Sequence, residues 1–128
     1  MANGSADAVA VAKRLKAARE AFLQVVDFVV GGLAKAPEGA AKASPNAVFA
    51  GSVPYLMLAG NLMAGWQLAR ALLVAQAQIA AGNDVAFMQA KIITARFYAD
   101  HMLTKVPGLR DAVLEGSQSV TALALDAF

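Results

Sequence analysis

The sequence predicts an all-α protein: one domain, residues 1–128, folded as an antiparallel up-and-down four-helix bundle with a long apolar second helix. Three observations lead to this prediction. Hydrophobic residues make up 59% of the chain and charged residues 16%, and many of the hydrophobic residues are alanine, the strongest helix former. Threonine, tyrosine and isoleucine, which are common in strands, are few. Apolar side chains also recur at steps of three and four residues in four segments separated by glycine or proline.

The first predicted helix runs from about Ala6 to Val30. The glycine pair Gly31 and Gly32 is expected to end it, because glycine readily adopts the left-handed conformation found after helices. The following stretch, Leu33 to Ala43, is expected to be a loop. The apolar residues of the helix alternate steps of three and four and so share one stripe: Ala8, Val11, Leu15, Ala18, Phe22, Val25 and Val29.

A serine followed by a proline, Ser44 and Pro45, signals the start of the next helix, with the serine as N-cap and the proline in the first turn. Residues 52–54 form a second start signal. Two alternatives therefore remain open. Either the helix starts at Pro45 and bends at the second signal, or a short turn precedes a main helix from about Val53. In both, the helix continues to about Ala81 and forms the spine of the fold.

The third and fourth predicted helices fill the rest of the chain. Asn83 or Asp84 is expected to cap the third helix, and the pair Pro107 and Gly108 is expected to end it. Gly116 lies in the stripe of the fourth helix, where it would let a neighbouring helix approach closely. The third stripe comprises Val85, Met88, Ile92, Ala95, Ala99, Met102 and Val106, and the fourth comprises Leu109, Val113, Gly116, Val120, Leu123 and Ala127.

The second helix carries no formal charge between Lys42 and Arg70, a length that makes it a transmembrane candidate. Its polar residues Asn46, Ser52, Asn61 and Gln67, together with its amphipathic neighbours, favour a helix packed within protein. The helix has more apolar surface than one bundle core requires, because four consecutive residues point to four sides: Tyr55, Leu56, Met57 and Leu58. Part of this surface is therefore expected to meet another chain or another domain.

Several function classes are disfavoured by the residues present. The chain has no cysteine, and its one histidine, His101, has no partner for a metal site or a catalytic triad. A net charge of +2 without a basic cluster gives no nucleic-acid footprint. The glutamates lie in different elements, without the paired spacing of acid–base chemistry. We therefore expect no catalytic, cofactor-binding or metal-binding residues here and, since the N-terminus lacks a secretory pattern, a cytoplasmic protein.

Two arginines are nevertheless singled out. Arg70 is isolated in the uncharged helix, and burial would require a carboxylate, with Asp27 and Asp100 as candidates, or a ligand phosphate. Arg96 precedes Asp100 by four residues, a spacing that predicts a local ion pair on one helix. Lys91 extends the same polar face.

Two segments are more specific than their periodicity. One is Tyr55-Leu-Met-Leu-Ala-Gly60 followed by Gly65-Trp66-Gln-Leu-Ala-Arg70-Ala, and the other is Ala90-Lys-Ile-Ile-Thr-Ala-Arg-Phe-Tyr-Ala-Asp-His-Met-Leu103. Both resemble motifs of the C-terminal domain appended to certain bacterial acyl-CoA dehydrogenases. In that family a proline directly follows the second block, whereas here three residues intervene before Pro107, which leaves the length of the third helix open.

The resemblance implies a parent enzyme that binds FAD, abstracts a proton beside an acyl-CoA thioester and passes a hydride to the flavin, as in fatty acid metabolism. Its catalytic and flavin-binding residues would belong to upstream domains, the partners of this one. The domain itself would bind no cofactor and would contribute packing and interdomain or homo-oligomer contacts. The residues implied are Tyr55, Gly60, Gly65, Trp66, Arg70, Lys91, Arg96, Phe97, Tyr98, Asp100 and His101.

Two other classes of protein remain open from the sequence. The first is a free-standing helical oligomer that binds a small apolar ligand between its helices, with the surplus apolar surface lining a cavity. The second is a small membrane-embedded helical protein, which the polar residues of the second helix disfavour.

Overall fold

A computed structural model describes residues 5–34 and 45–127, and all regular structure in these two ranges is helical, which confirms the all-α prediction. Two short 3-10 helices, Leu103–Lys105 and Leu125–Ala127, accompany the α-helices. The α-helices are α1 (Ala6–Leu33), α2 (Pro45–Ala50), α3 (Ser52–Ala80), α4 (Val85–His101), α5 (Val106–Glu115) and α6 (Ser117–Val120).

Helix α1 begins at the N-cap Ser5, whose hydroxyl oxygen accepts a hydrogen bond of 3.3 Å from the amide of Ala8. All seven residues of its predicted stripe are buried or half-buried, as expected. The predicted end at Gly31 and Gly32 is wrong, because the helix continues to Leu33. Gly32 lies against the side chain of Val48 in α2, so its missing side chain makes room for α2. The predicted loop falls mostly on residues 35–43, outside the described residues.

The second of the two alternatives for the next segment is confirmed. A short helix, α2, begins at Pro45, and the main helix α3 begins after Gly51 and ends at Ala80, one residue before the predicted end. Gly51 is buried against Val113 of α5. The break between the helices therefore lies where a side chain would meet α5.

The C-terminal half differs most from the prediction. Asp84 precedes α4 with a φ of 42°, and its side chain makes no capping hydrogen bond. Helix α4 ends at His101, whereas the sequence predicted that it would reach Pro107. Pro107 instead lies in the first turn of α5, where a missing amide hydrogen costs nothing. The chain passes between the two helices through the 3-10 turn Leu103–Lys105.

Interhelical contacts define the direction of each helix. Arg96 of α4 pairs with Asp7 near the start of α1, and Arg110 of α5 bonds to Gln24 near its end, so α4 and α5 both run parallel to α1. Phe22 stacks on Tyr55, and the beginning of α1 meets the end of α3, so α3 runs antiparallel to α1. The predicted four-helix up-and-down arrangement is not confirmed, because α5 continues along the direction of α4.

The core lies between α1, α3 and the α4–α5 segment. Its largest fully buried side chains are Leu58, Leu72, Leu103, Val25, Val106 and Val113. The predicted stripe of the fourth helix is wrong beyond Gly116, because its members Val120, Leu123 and Ala127 are exposed. Gly116 ends α5 and approaches the carbonyl of Ala112 in its own helix, so it does not bring a neighbouring helix closer.

None of the helices in the described residues combines the length and the apolarity that a membrane crossing needs.

Candidate functional site

Helix α3 carries two stripes of side chains on opposite sides, each with steps of three and four residues. The inner stripe packs in the domain and consists of Tyr55, Leu58, Leu62, Gly65, Ala69, Leu72 and Gln76. The second, which we call the outer stripe, is exposed along its whole length and consists of Val53, Leu56, Gly60, Met63, Gln67, Arg70 and Val74. Residues at alternating steps of three and four share one side of a helix, so α3 has a second seam, with the apolar residues Val53, Leu56, Met63 and Val74, that the described residues do not cover.

The exposure of the outer stripe bears out the expectation that α3 has more apolar surface than the domain buries. Leu56 is 71% exposed and Met63 is 54% exposed, whereas Leu58, two residues after Leu56, is completely buried. Met57, next to this stripe, is also 54% exposed. Neighbouring α4 adds exposed Phe87, Ile93 and Phe97, so two adjacent helices present apolar side chains to the outside.

The two glycines of the first motif behave differently. A methyl group placed on Gly65 would lie 2.7 Å from the nearest carbon of Leu103, so the missing side chain of Gly65 lets Leu103 approach α3 closely. Gly60 has no such role among the described residues, because nothing lies within 4 Å of its Cβ position. Gly60 instead makes a shallow, open position at the middle of the outer stripe.

Arg70 is exposed, which contradicts the expectation of a buried arginine paired with Asp27 or Asp100. Its guanidinium carbon lies 5.3 Å from the centre of the Trp66 ring, a cation–π arrangement. One nitrogen also donates a 3.2 Å hydrogen bond to the side chain of Gln67. The prediction failed because the uncharged segment of α3 is buried in the domain on one side, and Arg70 lies on the other side.

Trp66 and Arg70 line a groove of about 250 Å³ between α1 and α3. Its other lining residues are all apolar: Ala8, Val11, Ala12, Leu15, Ala69, Leu72 and Leu73. Arg70 is the one charged residue among them. No local sequence pattern indicates this groove, because its two walls come from helices about 50 residues apart in the chain.

On α4, the predicted ion pair between Arg96 and Asp100 is confirmed, with a nitrogen–oxygen distance of 2.7 Å. A second carboxylate, Asp7 of α1, lies 3.1 Å from another nitrogen of the same guanidinium. The hydrogen bond and charge of Asp100, with a smaller contribution from Asp7, raise the pKa of Arg96 above its usual value. Arg96 therefore links α1 to α4, a role that sequence spacing could not show.

Tyr98 links α4 to α3. Its hydroxyl donates to the main-chain carbonyl of Asn61 at 3.3 Å and lies 3.4 Å from the side-chain oxygen of the same residue. Partial burial raises the pKa of the Tyr98 hydroxyl, because desolvation disfavours the ionised form. Tyr55 of the first motif, in contrast, is fixed by stacking on Phe22, with ring centres 6.1 Å apart.

The remaining motif residues lie on the exposed side of α4. Phe97 and His101 have ring centres 4.4 Å apart, and the Lys91 nitrogen lies 4.9 Å from the centre of the Phe87 ring. The structure therefore distributes the predicted residues between helix packing, the groove and the exposed face, and does not bring them to one site. No group of three metal-ligating side chains occurs in the part of the chain that the structure describes.

These observations define a helical module with a packed inner face and an exposed apolar outer face. Comparison with protein families matches residues 1–124 to the family described as "Acetyl-CoA dehydrogenase C-terminal like". A curated relative, 3-methylmercaptopropionyl-CoA dehydrogenase of Ruegeria pomeroyi, is 37% identical over 125 residues, which are 98% of this chain and 20% of the relative. The chain belongs to this family of C-terminal dehydrogenase domains, which confirms the resemblance carried by the two motifs and extends it over α1. It spans about a fifth of the length of that relative.

Proposed function

We propose that this chain is a non-catalytic helical module of an FAD-dependent acyl-CoA dehydrogenase, and that another helix of the assembled enzyme packs along its outer stripe. The observation that carries the proposal is the second seam of α3, which is exposed from Val53 to Val74. The covering helix would belong to another domain of the same polypeptide or to a second copy of the chain.

The chemistry of the outer stripe favours a helix as its occupant. Its steps of three and four residues match the spacing of knobs and holes between paired helices. Gly60, with open space above it, would accept a bulky side chain from the facing helix. Gln67 and Arg70 are the polar members of the stripe, and they lie towards one end of it, so the opposite end offers an uninterrupted apolar contact.

The relative supports a larger assembly around this module. Its name describes a dehydrogenase that acts on an acyl-CoA thioester, and the module accounts for 20% of its length. Most of such a polypeptide would thus lie outside the module and could supply the covering surface. The reaction, proton abstraction and hydride transfer to flavin, would take place in that remaining part.

The two concavities in the described residues support leaving the flavin to the rest of the enzyme. The groove between α1 and α3 measures about 250 Å³, below the size range of roughly 300–1,000 Å³ usual for ligand sites. A second concavity of about 390 Å³ is lined in part by Asp7, whose charge would repel the FAD diphosphate. In this proposal the module therefore leaves FAD to the rest of the enzyme.

Light scattering coupled to size-exclusion chromatography, without detergent and with or without FAD, tests the proposal on the isolated chain. We expect no retained flavin and, if a second copy covers the seam, a dimer that the double variant Leu56→Lys/Met63→Lys converts to monomer. The matched control, Lys13→Ala/Lys16→Ala, changes exposed residues of α1 and should leave the mass unchanged. Retained flavin would overturn the proposal.

A monomeric wild-type chain would assign the seam to another domain, and a chimera tests that case. In it, this chain replaces the matching 125 residues of the Ruegeria enzyme, with or without the two lysine substitutions. We expect the substituted chimera to lose assembly or thermal stability relative to the unsubstituted one. Equal mass and equal Tm would show that nothing packs on the outer stripe.

A further inference from the structure

The groove between α1 and α3 has a chemistry of its own that the outer stripe does not explain. We propose that it binds a small amphiphilic carboxylate, with the hydrocarbon part against Leu15, Trp66 and Leu73 and the carboxylate on the guanidinium of Arg70. The groove lies within one copy of the chain and shares Arg70 with the outer stripe, so separate variants test the two proposals.

The size and lining of the groove suit a short hydrocarbon. Apolar cavities of about 150 Å³ in proteins are large enough to bind benzene, and this groove offers about 250 Å³. The walls combine an aromatic ring with aliphatic side chains from two helices, and Val11 and Leu72 at the base are buried. A hydrocarbon of a few carbons would therefore exchange water for close contacts on both sides.

Arg70 gives the groove its preference for an anion. A guanidinium has five N–H donors. Within the described residues, Arg70 uses one of them, in the hydrogen bond to the side chain of Gln67. No carboxylate of the described ranges forms an ion pair with Arg70, in contrast to Arg96, which holds two. The planar fork of arginine matches the two oxygens of a carboxylate.

The chain supplies its own reporter for this binding. Trp66 is the one tryptophan in the sequence, and it lines the groove, so its fluorescence reads occupancy directly. We expect octanoate to change the emission of Trp66 with a saturable dependence on concentration. Octanol, which has the same chain length and no charge, should bind about three- to tenfold more weakly, because it loses a charge-assisted hydrogen bond to an exposed arginine.

Two matched pairs of variants locate the binding. Arg70→Gln should bring octanoate binding down to the level of octanol, whereas Lys91→Gln removes the cation of another exposed cation–π pair, on α4, and should have no effect. Ala12→Phe places a ring in the groove and should abolish the fluorescence change. Ala17→Phe adds the same ring at an exposed position of α1 that does not line the groove, and binding should persist.

The proposal is overturned if octanoate and octanol bind equally, if Arg70→Gln binds octanoate like the wild type, or if Ala12→Phe leaves the titration unchanged. Circular dichroism of each variant verifies that the helices are intact. A covering helix on the outer stripe would be lost in Leu56→Lys/Met63→Lys, which leaves the groove residues in place. Failure of one proposal is therefore distinguishable from failure of the other.

Discussion

Leu103, in the turn after α4, covers Gly65 of α3 so closely that a methyl group on the glycine would lie 2.7 Å from Leu103 Cδ2 and 3.1 Å from its Cγ. Leu103 is also 2% exposed, so its side chain is enclosed by neighbouring residues of the core. This contact fixes the point on α3 at which the chain turns from α4 towards α5. The second family motif thus ends on a residue that packs against the first.

Replacing Gly65 by alanine should destabilise the domain. Overpacking of a filled core costs typically about 1–3 kcal/mol, and the better helix propensity of alanine returns up to about 1 kcal/mol of it. We expect the free energy of unfolding in urea to fall by about 1–2 kcal/mol. An unchanged or increased stability would show that Leu103 does not hold this position.

Gly60→Ala is the matched control for this substitution. It lies in the same helix, with nothing within 4 Å of the added methyl group, so the helix-propensity gain should appear alone. The domain should become more stable by about 0.5–1 kcal/mol when measured as a monomer. A loss of stability under those conditions would contradict an open outer stripe.

Two leucines test the two faces of α3. Leu58→Ala should lower the free energy of unfolding by about 2–5 kcal/mol, because Leu58 is completely buried and its removal leaves a cavity. Leu56→Ala, at a position that is 71% exposed, should change it by less than about 0.5 kcal/mol. Similar effects of the two substitutions in urea denaturation would mean that the outer stripe is already covered in the isolated chain.

Local periodicity predicted the N-terminal half of the fold well. Every residue of the α1 stripe is buried or half-buried, because α1 has one continuous partner surface along its length. The inner and outer stripes of α3 share the same spacing, so periodicity could not tell which one is buried. That distinction depends on where α1 and α4 pack, which is tertiary information.

The C-terminal half was harder, because its apolar spacing continues through a break in the helix. Ala99 and Val106 are both buried and in register with one stripe, although a 3-10 turn separates them. The sequence predicts that Pro107 ends the third helix, whereas it lies in the first turn of α5. A proline followed by a regular stripe is equally typical of a first helical turn, and the packing of Leu103 on Gly65 decides between them.

Among the candidate residues, spacing on one helix was enough to predict the bond between Arg96 and Asp100. The ion pair between Arg96 and Asp7 could not be predicted from spacing, because Asp7 lies on another helix, 89 residues away in sequence. The exposure of Arg70 could not be predicted from a local pattern either, since it depends on which side of α3 packs in the domain.

The ion pairs of Arg96 should make the contact between α1 and α4 sensitive to salt. Arg96→Gln removes both pairs and should lower the Tm modestly at low ionic strength, with a smaller effect at high salt because these groups are partly exposed. Asp7→Asn removes the interhelical pair alone and should give part of the same effect. Lys16→Gln, which breaks an exposed pair within α1, is the control and should leave the Tm unchanged. If Arg96→Gln lowers the Tm by the same amount at low and high salt, the substitution acts through lost side-chain packing and not through lost charge.

Tyr98 should make the domain less stable at alkaline pH. Its pKa is raised by burial, so the folded state retains a proton that the unfolded state releases above about pH 10, the ordinary value for tyrosine. The contribution of the neutral hydroxyl to the free energy of unfolding is therefore complete below pH 10 and is lost as the pH rises through the folded-state pKa. The variant Tyr98→Phe should lose about 0.5–1 kcal/mol at neutral pH, from the long hydrogen bond to Asn61, and should then decline less steeply than the wild type above pH 10. Urea denaturation across this pH range measures both the loss of stability at neutral pH and the decline above pH 10.

The chain has two tyrosines, so the absorbance titration of Tyr55→Phe reports Tyr98 alone and should show a midpoint above 10. A midpoint at or below 10, or parallel declines of the wild type and Tyr98→Phe, would show that burial of this hydroxyl does not couple α4 to α3.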